Sequence, residues 1–134
     1  MNVNLDELLI ATRTVWQESR GQPFPGQVAV AHVIWNRAQA KGTDMGYECH
    51  RPWQFSGWNV GDPSRLSSRF KTVQSTSFRQ AMRAVLEMLD NVERRIDPTS
   101  GSKHFHADYV HPSWAQGRTP VLVIGAHLFY NDVP

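Results

Sequence analysis

Residues 4–21 read NLDELLIATRTVWQESRG and predict an amphipathic helix that starts the fold. Asn4 suits the N-cap, Glu7 stands where the second arm of a capping box belongs, and Gly21 is typical of the position just past a helix end. Apolar side chains recur at helical spacing and form one stripe, which predicts a helix with a single buried face. The stripe consists of Leu5, Leu8, Leu9, Thr12, Val15 and Trp16.

One carboxylate, Glu18, falls in the last turn of this helix, on the flank of the stripe. The negative end of the helix dipole and partial burial both disfavour an ionised carboxylate, so we expect a raised pKa for Glu18. A carboxyl group that keeps its proton near neutral pH can act as a general acid. The spacing alone equally allows a solvated glutamate paired with Arg20.

The composition describes one globular domain over residues 1–134, with 40% hydrophobic and 19% charged residues. A net charge of +2 with scattered basic residues does not indicate a nucleic-acid partner. The single cysteine, Cys49, excludes an internal disulfide and is expected to be a free thiol in a loop rather than a nucleophile. We see no signal peptide and no apolar run of membrane-spanning length. We therefore expect synthesis in the cytoplasm without an export signal and no membrane insertion.

Two more helices and a small sheet follow from the periodicity. A second helix is expected from about Pro25 to Ala38, apolar on nearly every face, with His32 as a core histidine. A third runs from a cap near Ser75 to about Asp90. The last third predicts a strand at 103–107, one helical turn at 112–115, and strands at 121–124 and 127–130 joined by a two-residue turn. The predicted class is α+β, with three main helices and a small antiparallel sheet.

Residues 42–74 read as a long irregular stretch whose aromatic core is Trp53-Gln54-Phe55-Ser56-Gly57-Trp58. Aromatic faces separated by hydrogen-bonding side chains suit sugar rings, and they suit unpaired nucleobases as well. The same rings could instead hold the loop against the core. The sequence therefore predicts a binding loop or a packed one, without deciding between them.

A histidine-rich stretch, His104-Phe105-His106-Ala107-Asp108, lies on the first predicted strand. Residues two apart on a strand share a face, so His104 and His106 are expected to point the same way. Two histidines and an Asp could begin a zinc site, but the spacing shows no third ligand. Hydrogen bonding to a sugar, or a structural role, is the other interpretation. We therefore predict no metal site and no cofactor.

The helix that ends on Glu18, the aromatic stretch 53–58 and the histidine-rich stretch 104–108 follow one another in this order. Together they resemble the SleB-type cell-wall hydrolase family, which includes spore cortex-lytic enzymes and related phage lysins. The matching motifs cover nearly the whole chain. They are Ala11-x-Arg13-x-Val15-Trp16-x-Glu18-Ser19-Arg20-Gly21, Gly26-Gln27-Val28-Ala29-Val30-Ala31, Asn36-Arg37, Gln54-Phe55-Ser56 with Trp58, Asp97-Pro98-Thr99 with Gly101, His104-Phe105-His106, Val110-x-Pro112-x-Trp114-Ala115, and Ile124-Gly125-x-His127-x-Phe129-Tyr130. Many members carry Glu-Ala-Arg-Gly-Glu where this chain has Glu-Ser-Arg-Gly-Gln, and a Tyr-rich strand where it has His-Phe-His. These departures indicate a different branch.

The resemblance implies a lysozyme-like domain that cleaves peptidoglycan glycan strands as a lytic transglycosylase. Glu18 would protonate the bond between N-acetylmuramic acid and N-acetylglucosamine, and then act as a base. The substrate-binding residues by resemblance are Gln54, Phe55, Ser56, Trp58, His104, His106 and Tyr130. A hydrolytic muramidase, a metal-dependent amidase centred on His104 and His106, and a non-catalytic glycan-binding module are the alternatives.

The resemblance also implies where and with what the protein works. Bacterial peptidoglycan is the expected partner, and we expect a monomer. A member that resembles phage endolysins would reach the cell wall after release through a membrane-permeabilising, holin-type partner.

Overall fold

A computed structural model describes residues 2–51, 55 and 75–134 of the chain. In chain order its elements are α1 (Leu5–Ser19), α2 (Phe24–Lys41), α3 (Met45–His50), α4 (Thr76–Glu93), β1 (His104–Ala107), a 3₁₀ helix (Ser113–Ala115), β2 (Leu122–Ile124) and β3 (His127–Tyr130). The predicted α+β class, with three long helices before a small antiparallel sheet, is confirmed. None of the described helices combines the length and the apolar character needed to cross a membrane.

Helix α1 begins as the sequence predicts, because Asn4 Oδ1 accepts a hydrogen bond from the Glu7 backbone N–H at 2.8 Å. The predicted capping-box role of the Glu7 side chain is wrong. Its carboxylate instead accepts a hydrogen bond from the Met45 N–H at 2.9 Å and so connects α1 to α3. The stripe is also shorter than predicted, since Leu5 is 66% exposed while Val15 and Trp16 are buried.

Helix α2 is buried along most of its length and packs against α1 and α4. Its histidine is a core residue, as predicted. His32 Nε2 lies 3.1 Å from Asn91 Nδ2 of α4, and His32 Nδ1 lies 3.6 Å from Asp97 Oδ1. Both ring nitrogens therefore face polar partners inside the core, which is how a buried imidazole is accommodated.

The short helix α3 lies inside the stretch that the sequence predicted as irregular. Asp44 caps it by accepting a hydrogen bond from the Tyr47 N–H at 2.7 Å. Six residues are too few for a hydrophobic period to stand out, which explains why the helix was missed. Cys49 consequently lies in a helix and is fully buried, so the expectation of a loop thiol is wrong.

The sheet is antiparallel, with β3 between β1 and β2. Phe129 of β3 is fully buried and faces the core. The predicted two-residue hairpin turn is confirmed, with Gly125 at φ +55°, a conformation that favours glycine. The N–H of Ala126 in this turn donates to Gln22 Oε1 at 2.9 Å. This bond places the hairpin tip against the α1–α2 turn, a few residues after Glu18.

Candidate active site

Glu18 lies in the last turn of α1 and is half-buried. The end of this helix is held firmly: Trp16 Nε1 donates to Ser77 Oγ of α4 at 2.9 Å, and the buried Ser19 hydroxyl donates to the Val15 carbonyl at 2.6 Å. The guanidinium of Arg20 lies 4.1 Å from the centre of the Trp16 ring, a cation–π contact. The helix end that carries Glu18 is therefore bonded to α4.

Arg37 of α2 connects Glu18 to the rest of the site. Its Nε donates to the Lys103 carbonyl at 2.6 Å, and its guanidinium lies 5.1 Å from the centre of the Phe55 ring. Burial lowers the pKa of Arg37, and the nearby carboxylates of Glu48 and Glu18 partly offset that effect. Arg37 thus lies within electrostatic reach of two carboxylates.

The second of these carboxylates, Glu48 of α3, is fully buried. Both of its oxygens accept hydrogen bonds from Arg51 at 3.0 Å, and Oε1 also lies 3.7 Å from Lys41 Nζ. Burial raises the pKa of Glu48, while Arg37 lowers it. Because its oxygens are occupied and have no exposed surface, Glu48 cannot reach a ligand in this arrangement.

A tight turn supports the start of β1. Asp97 accepts hydrogen bonds from the Thr99 N–H at 2.8 Å and the Gly101 N–H at 2.9 Å, and Asn36 Nδ2 donates to it at 2.9 Å. Burial alone would raise the pKa of Asp97, but the hydrogen bonds from the hydroxyl and N–H of Thr99 and from Asn36, together with nearby His32, outweigh it, so the pKa is lowered. The turn fixes the chain just before His104.

One face of the sheet carries an aromatic and imidazole cluster, formed by His104, His106, Trp114 and Tyr130. The Trp114 ring lies 5.1 Å from His104 and 5.6 Å from His106, so the two histidines share a face as predicted. Tyr130, which is buried, stacks on His106 at 5.4 Å. In the neutral imidazole, His106 Nδ1 donates to the Ala107 carbonyl at 2.7 Å and Nε2 accepts from the Tyr130 hydroxyl at 2.9 Å.

A cavity of about 250 Å³ opens beside this cluster. Leu128 and the rings of His106 and Tyr130 contribute to its wall, and the exposed residues Asp108 and His111 also line it. Aromatic walls beside hydrogen-bonding groups match both faces of a pyranose ring. The cavity therefore combines apolar rings with hydrogen-bonding groups.

The structure brings together only part of the predicted substrate site. His104, His106 and Tyr130 cluster, whereas Phe55 is 1% exposed and belongs to the hydrophobic core. Of the two interpretations given for this stretch, the packed one describes the Phe55 ring, which lies inside, beneath Arg37. The remaining predicted loop residues lie outside the described residues, namely Gln54, Ser56 and Trp58, together with Trp53.

The residues that could hold a metal do not converge in the part of the chain that the structure describes. There, no three His, Cys, Asp or Glu side chains are arranged to bind an ion. His106 already uses both ring nitrogens in hydrogen bonds, and a catalytic zinc needs three protein ligands. The residues at hand suit hydrogen bonding better than metal ligation.

Among known protein families, the one described as Cell Wall Hydrolase has a profile that matches residues 21–130. The chain belongs to this family. The resemblance seen in the sequence motifs is thereby confirmed, although the matched range begins three residues after Glu18.

Curated relatives are spore cortex-lytic enzymes. The enzyme of Halalkalibacterium halodurans is 29% identical over 129 residues, which cover 94% of this chain and 35% of that protein. The enzyme of Bacillus cereus is 30% identical over 128 residues, covering 92% of this chain and 44% of that protein. The chain thus spans less than half the length of these relatives.

Two solved structures share the fold. The catalytic domain of the germination-specific lytic transglycosylase SleB from Bacillus anthracis matches with a TM-score of 0.73, at 24% identity and with 96% of both chains covered. The catalytic domain of the Bacillus cereus SleB protein matches with a TM-score of 0.72, at 26% identity, covering 96% of this chain and 91% of that one. The Cell Wall Hydrolase domain of this chain therefore has the architecture of the SleB catalytic domain.

Sequence reasoning missed Glu48 and the central position of Arg37. Arg51 stands three residues after Glu48, a spacing that predicts a helical ion pair, but the missed α3 hid that signal. No sequence pattern predicts that Arg37, 66 residues before Lys103, donates to its carbonyl.

Proposed function

We propose that this domain cleaves the β-1,4 bond between N-acetylmuramic acid and N-acetylglucosamine in peptidoglycan, as a lytic transglycosylase. The relatives named above are spore cortex-lytic enzymes, and one fold relative is named a lytic transglycosylase. The observation that carries the proposal is the difference in exposure between two carboxylates: Glu18 is half-exposed at a helix end, while Glu48 has no exposed surface. Of the two carboxylates that act on Arg37 within the described residues, Glu18 is therefore the one that a substrate can reach.

A single carboxylate suits a reaction in which the substrate supplies the nucleophile. Glycosidases ordinarily use a pair of carboxylates, one as acid and one as base or nucleophile. In the proposed reaction the Glu18 carboxyl gives its proton to the glycosidic oxygen, and the bond from C1 of the muramic acid to that oxygen breaks. The Glu18 carboxylate then takes the proton of the muramic 6-hydroxyl, whose oxygen bonds to C1. The product is a 1,6-anhydro sugar, and Glu18 regains its proton.

The face formed by His104, His106, Trp114 and Tyr130 is the proposed sugar-binding wall. His104 and Arg37 line one cavity, and after burial the Arg37 cation is the next cause that lowers the pKa of His104. Residues two apart on a strand are about 6.5–7 Å apart, so His106 continues the same wall along β1 toward the hairpin turn. The wall therefore follows a line along which a glycan strand could extend.

The test is a digest of purified peptidoglycan with the wild-type protein and Glu18→Gln in parallel. We expect the variant to fold normally and to lose activity by at least about a hundredfold, the size of effect usual for a general acid–base group. Mass spectrometry of the fragments separates anhydro ends, expected here, from the reducing ends of a hydrolytic muramidase. Full activity in Glu18→Gln would contradict the proposal.

The same digest addresses the remaining alternatives. Release of free peptides from the glycan would point to the amidase, and wall binding without fragments would point to a binding module. Action at the cell wall follows from the proposal, while the monomeric state and release by a holin-type partner stay predictions.

A further inference from the structure

A second cavity, of about 340 Å³, lies between the C-terminal part of α2 and the start of β1. Its polar lining is basic: Arg37 and Lys41 come from α2, and Lys103 and His104 from the β1 side. Ala40, Val133 and Pro134 complete the wall. Neither His106 nor Tyr130 lines it, so it is distinct from the cavity beside the aromatic cluster.

The cations of this basic cavity are unequally neutralised. Lys41 Nζ lies 3.7 Å from Glu48 Oε1, and Arg37 lies within reach of Glu48 and Glu18. By contrast, no carboxylate within the described ranges lies within 4 Å of Lys103 Nζ. Lys103 is thus a cation at the cavity wall that an incoming anion can pair with.

His104 supplies the second, independent observation. Its Nδ1 atom is buried and has no hydrogen-bond partner among the described residues. Leaving a buried polar atom unpaired costs roughly 1–3 kcal/mol, so a ligand that meets it gains an interaction the free protein lacks. Burial, and then the cations Arg37, Lys103 and Arg118, lower the pKa of His104. A bound anion would offset these cations and could accept a hydrogen bond from the ring.

We propose that the basic cavity binds a carboxylate of the peptide stem that peptidoglycan carries on its muramic acid. This inference rests on the proposed function and deepens it, because it makes the enzyme select strands that bear peptides. Arg37 lines the cavity and interacts electrostatically with Glu18, and His104 belongs both to this cavity and to the proposed sugar-binding wall, so the cavity adjoins the proposed site. Lys103 and Arg37 would pair with the carboxylate, and His104 Nδ1 would complete its hydrogen bonds.

The experiment measures binding separately from cleavage. The Glu18→Gln protein is titrated by calorimetry with a disaccharide–peptide whose stem carboxylates are free, and with the same compound after their conversion to primary amides. We expect the amide form to bind at least about tenfold more weakly, since it lacks the charge-assisted hydrogen bonds. The ring nitrogens of His104, followed by NMR, should shift with the free-carboxylate compound only.

A charge-removing pair of variants localises the effect. Lys103→Gln, added to Glu18→Gln, should weaken the free-carboxylate compound about tenfold and leave the amide form unchanged. It keeps the backbone carbonyl that accepts from Arg37, so β1 stays in place. The control is Arg83→Gln, which removes the same charge from an exposed position of α4 and should change neither affinity.

Three outcomes would overturn the proposal: equal affinity for the two compounds, no effect of Lys103→Gln, or displacement of the compound by inorganic phosphate at a similar concentration. The last would reveal a general anion site. A failure of the proposed function looks different. If Glu18→Gln still cleaves peptidoglycan fully, the assignment of Glu18 falls while the binding result stands.

Discussion

Arg37 Nε donates a hydrogen bond of 2.6 Å to the carbonyl oxygen of Lys103, the residue immediately before β1. This bond connects the long helix α2 to the strand that presents His104 and His106. The same side chain covers the ring of Phe55 and lies within reach of Glu18. The side chain of Arg37 therefore links the helical part of the site to the sheet.

The first prediction is that Arg37→Lys damages both stability and activity. Lysine keeps the positive charge but loses the planar group that donates to Lys103 while covering Phe55. We expect a loss of about 1.5–3 kcal/mol in the free energy of unfolding, the usual size for a hydrogen bond to a charged group. Urea unfolding and peptidoglycan digestion measure the two effects.

Arg79→Lys, at an exposed position of α4, serves as the control and should change neither the free energy of unfolding nor the digestion rate. If Arg37→Lys keeps the wild-type free energy of unfolding and the wild-type digestion rate, the link that Arg37 makes between α2 and β1 is not needed for either.

Local signals in the sequence account for most of the fold. Asn4 and Ser75 cap the helices they were expected to cap, and Gly125 makes the hairpin turn. These features depend on residues at most a few positions apart, where propensity and periodicity act. Helix α3 escaped because it is a single short element held by contacts with α1, among them the bond from Met45 to Glu7, 38 residues away.

The site was less predictable than the fold for the same reason. Aromatic residues in the stretch 42–74 left a binding loop and a packed loop as equal alternatives, because exposure depends on what covers a ring. Arg37, 18 positions before Phe55 in the sequence, lies over that ring in space. The burial of Glu48 could not be predicted, since it becomes evident only when α3 packs against α1 and α2. Shared faces on one strand, such as that of His104 and His106, could be predicted because they need no long-range contact.

The second prediction concerns the hydroxyl of Tyr130, which meets His106 Nε2 at 2.9 Å. Tyr130→Phe removes this bond and leaves His106 held only through Nδ1. We expect a modest loss of about 1 kcal/mol in the free energy of unfolding. If His106 contacts the glycan, cleavage should fall several-fold beyond what that lost stability explains.

Tyr109→Phe is the matched control for this change, because Tyr109 is 80% exposed and should tolerate the loss of its hydroxyl. Equal digestion rates for wild type, Tyr130→Phe and Tyr109→Phe would show that the orientation of His106 does not matter for cleavage.

The third prediction is that the Cys49 thiol is unreactive in the native protein and takes no part in cleavage. Burial raises the pKa of its thiol to about 12, and the thiolate is the reactive form. A thiol reagent such as DTNB should therefore leave the native protein unmodified at pH 8 and react with one thiol per chain after denaturation. Cys49→Ala should retain peptidoglycan cleavage, at a cost of about 1 kcal/mol in stability for the small void. Rapid labelling of the native protein together with an inactive Cys49→Ala would instead restore a nucleophilic cysteine as a candidate.

The fourth prediction is that acid destabilises the fold in two separate pH ranges. Burial lowers the pKa of His32, and burial together with His106 lowers that of His127, although Asp97 and Asp108 act in the opposite direction. The unfolded chain then binds more protons than the native one below the unfolded histidine pKa of about 6.5. Stability is therefore complete above that pH and falls as the pH drops toward the native values. Asp97, whose native pKa is also lowered, contributes stability that is complete above about pH 4 and is lost as the pH falls through its native pKa.

Urea unfolding at a series of pH values measures both losses. His32→Gln should flatten the decline below pH 6.5, whereas His111→Gln, at an exposed position, should leave it unchanged. If His32→Gln proves too unstable to study, NMR titration of the His32 ring in the wild type provides the same information, since a midpoint below 6.5 is required. Asp97→Asn should remove the second decline while lowering stability at neutral pH, because the bonds from Thr99, Gly101 and Asn36 lose their charged acceptor. A stability that is constant from pH 7.5 to 5 would contradict the neutral, buried state inferred for His32.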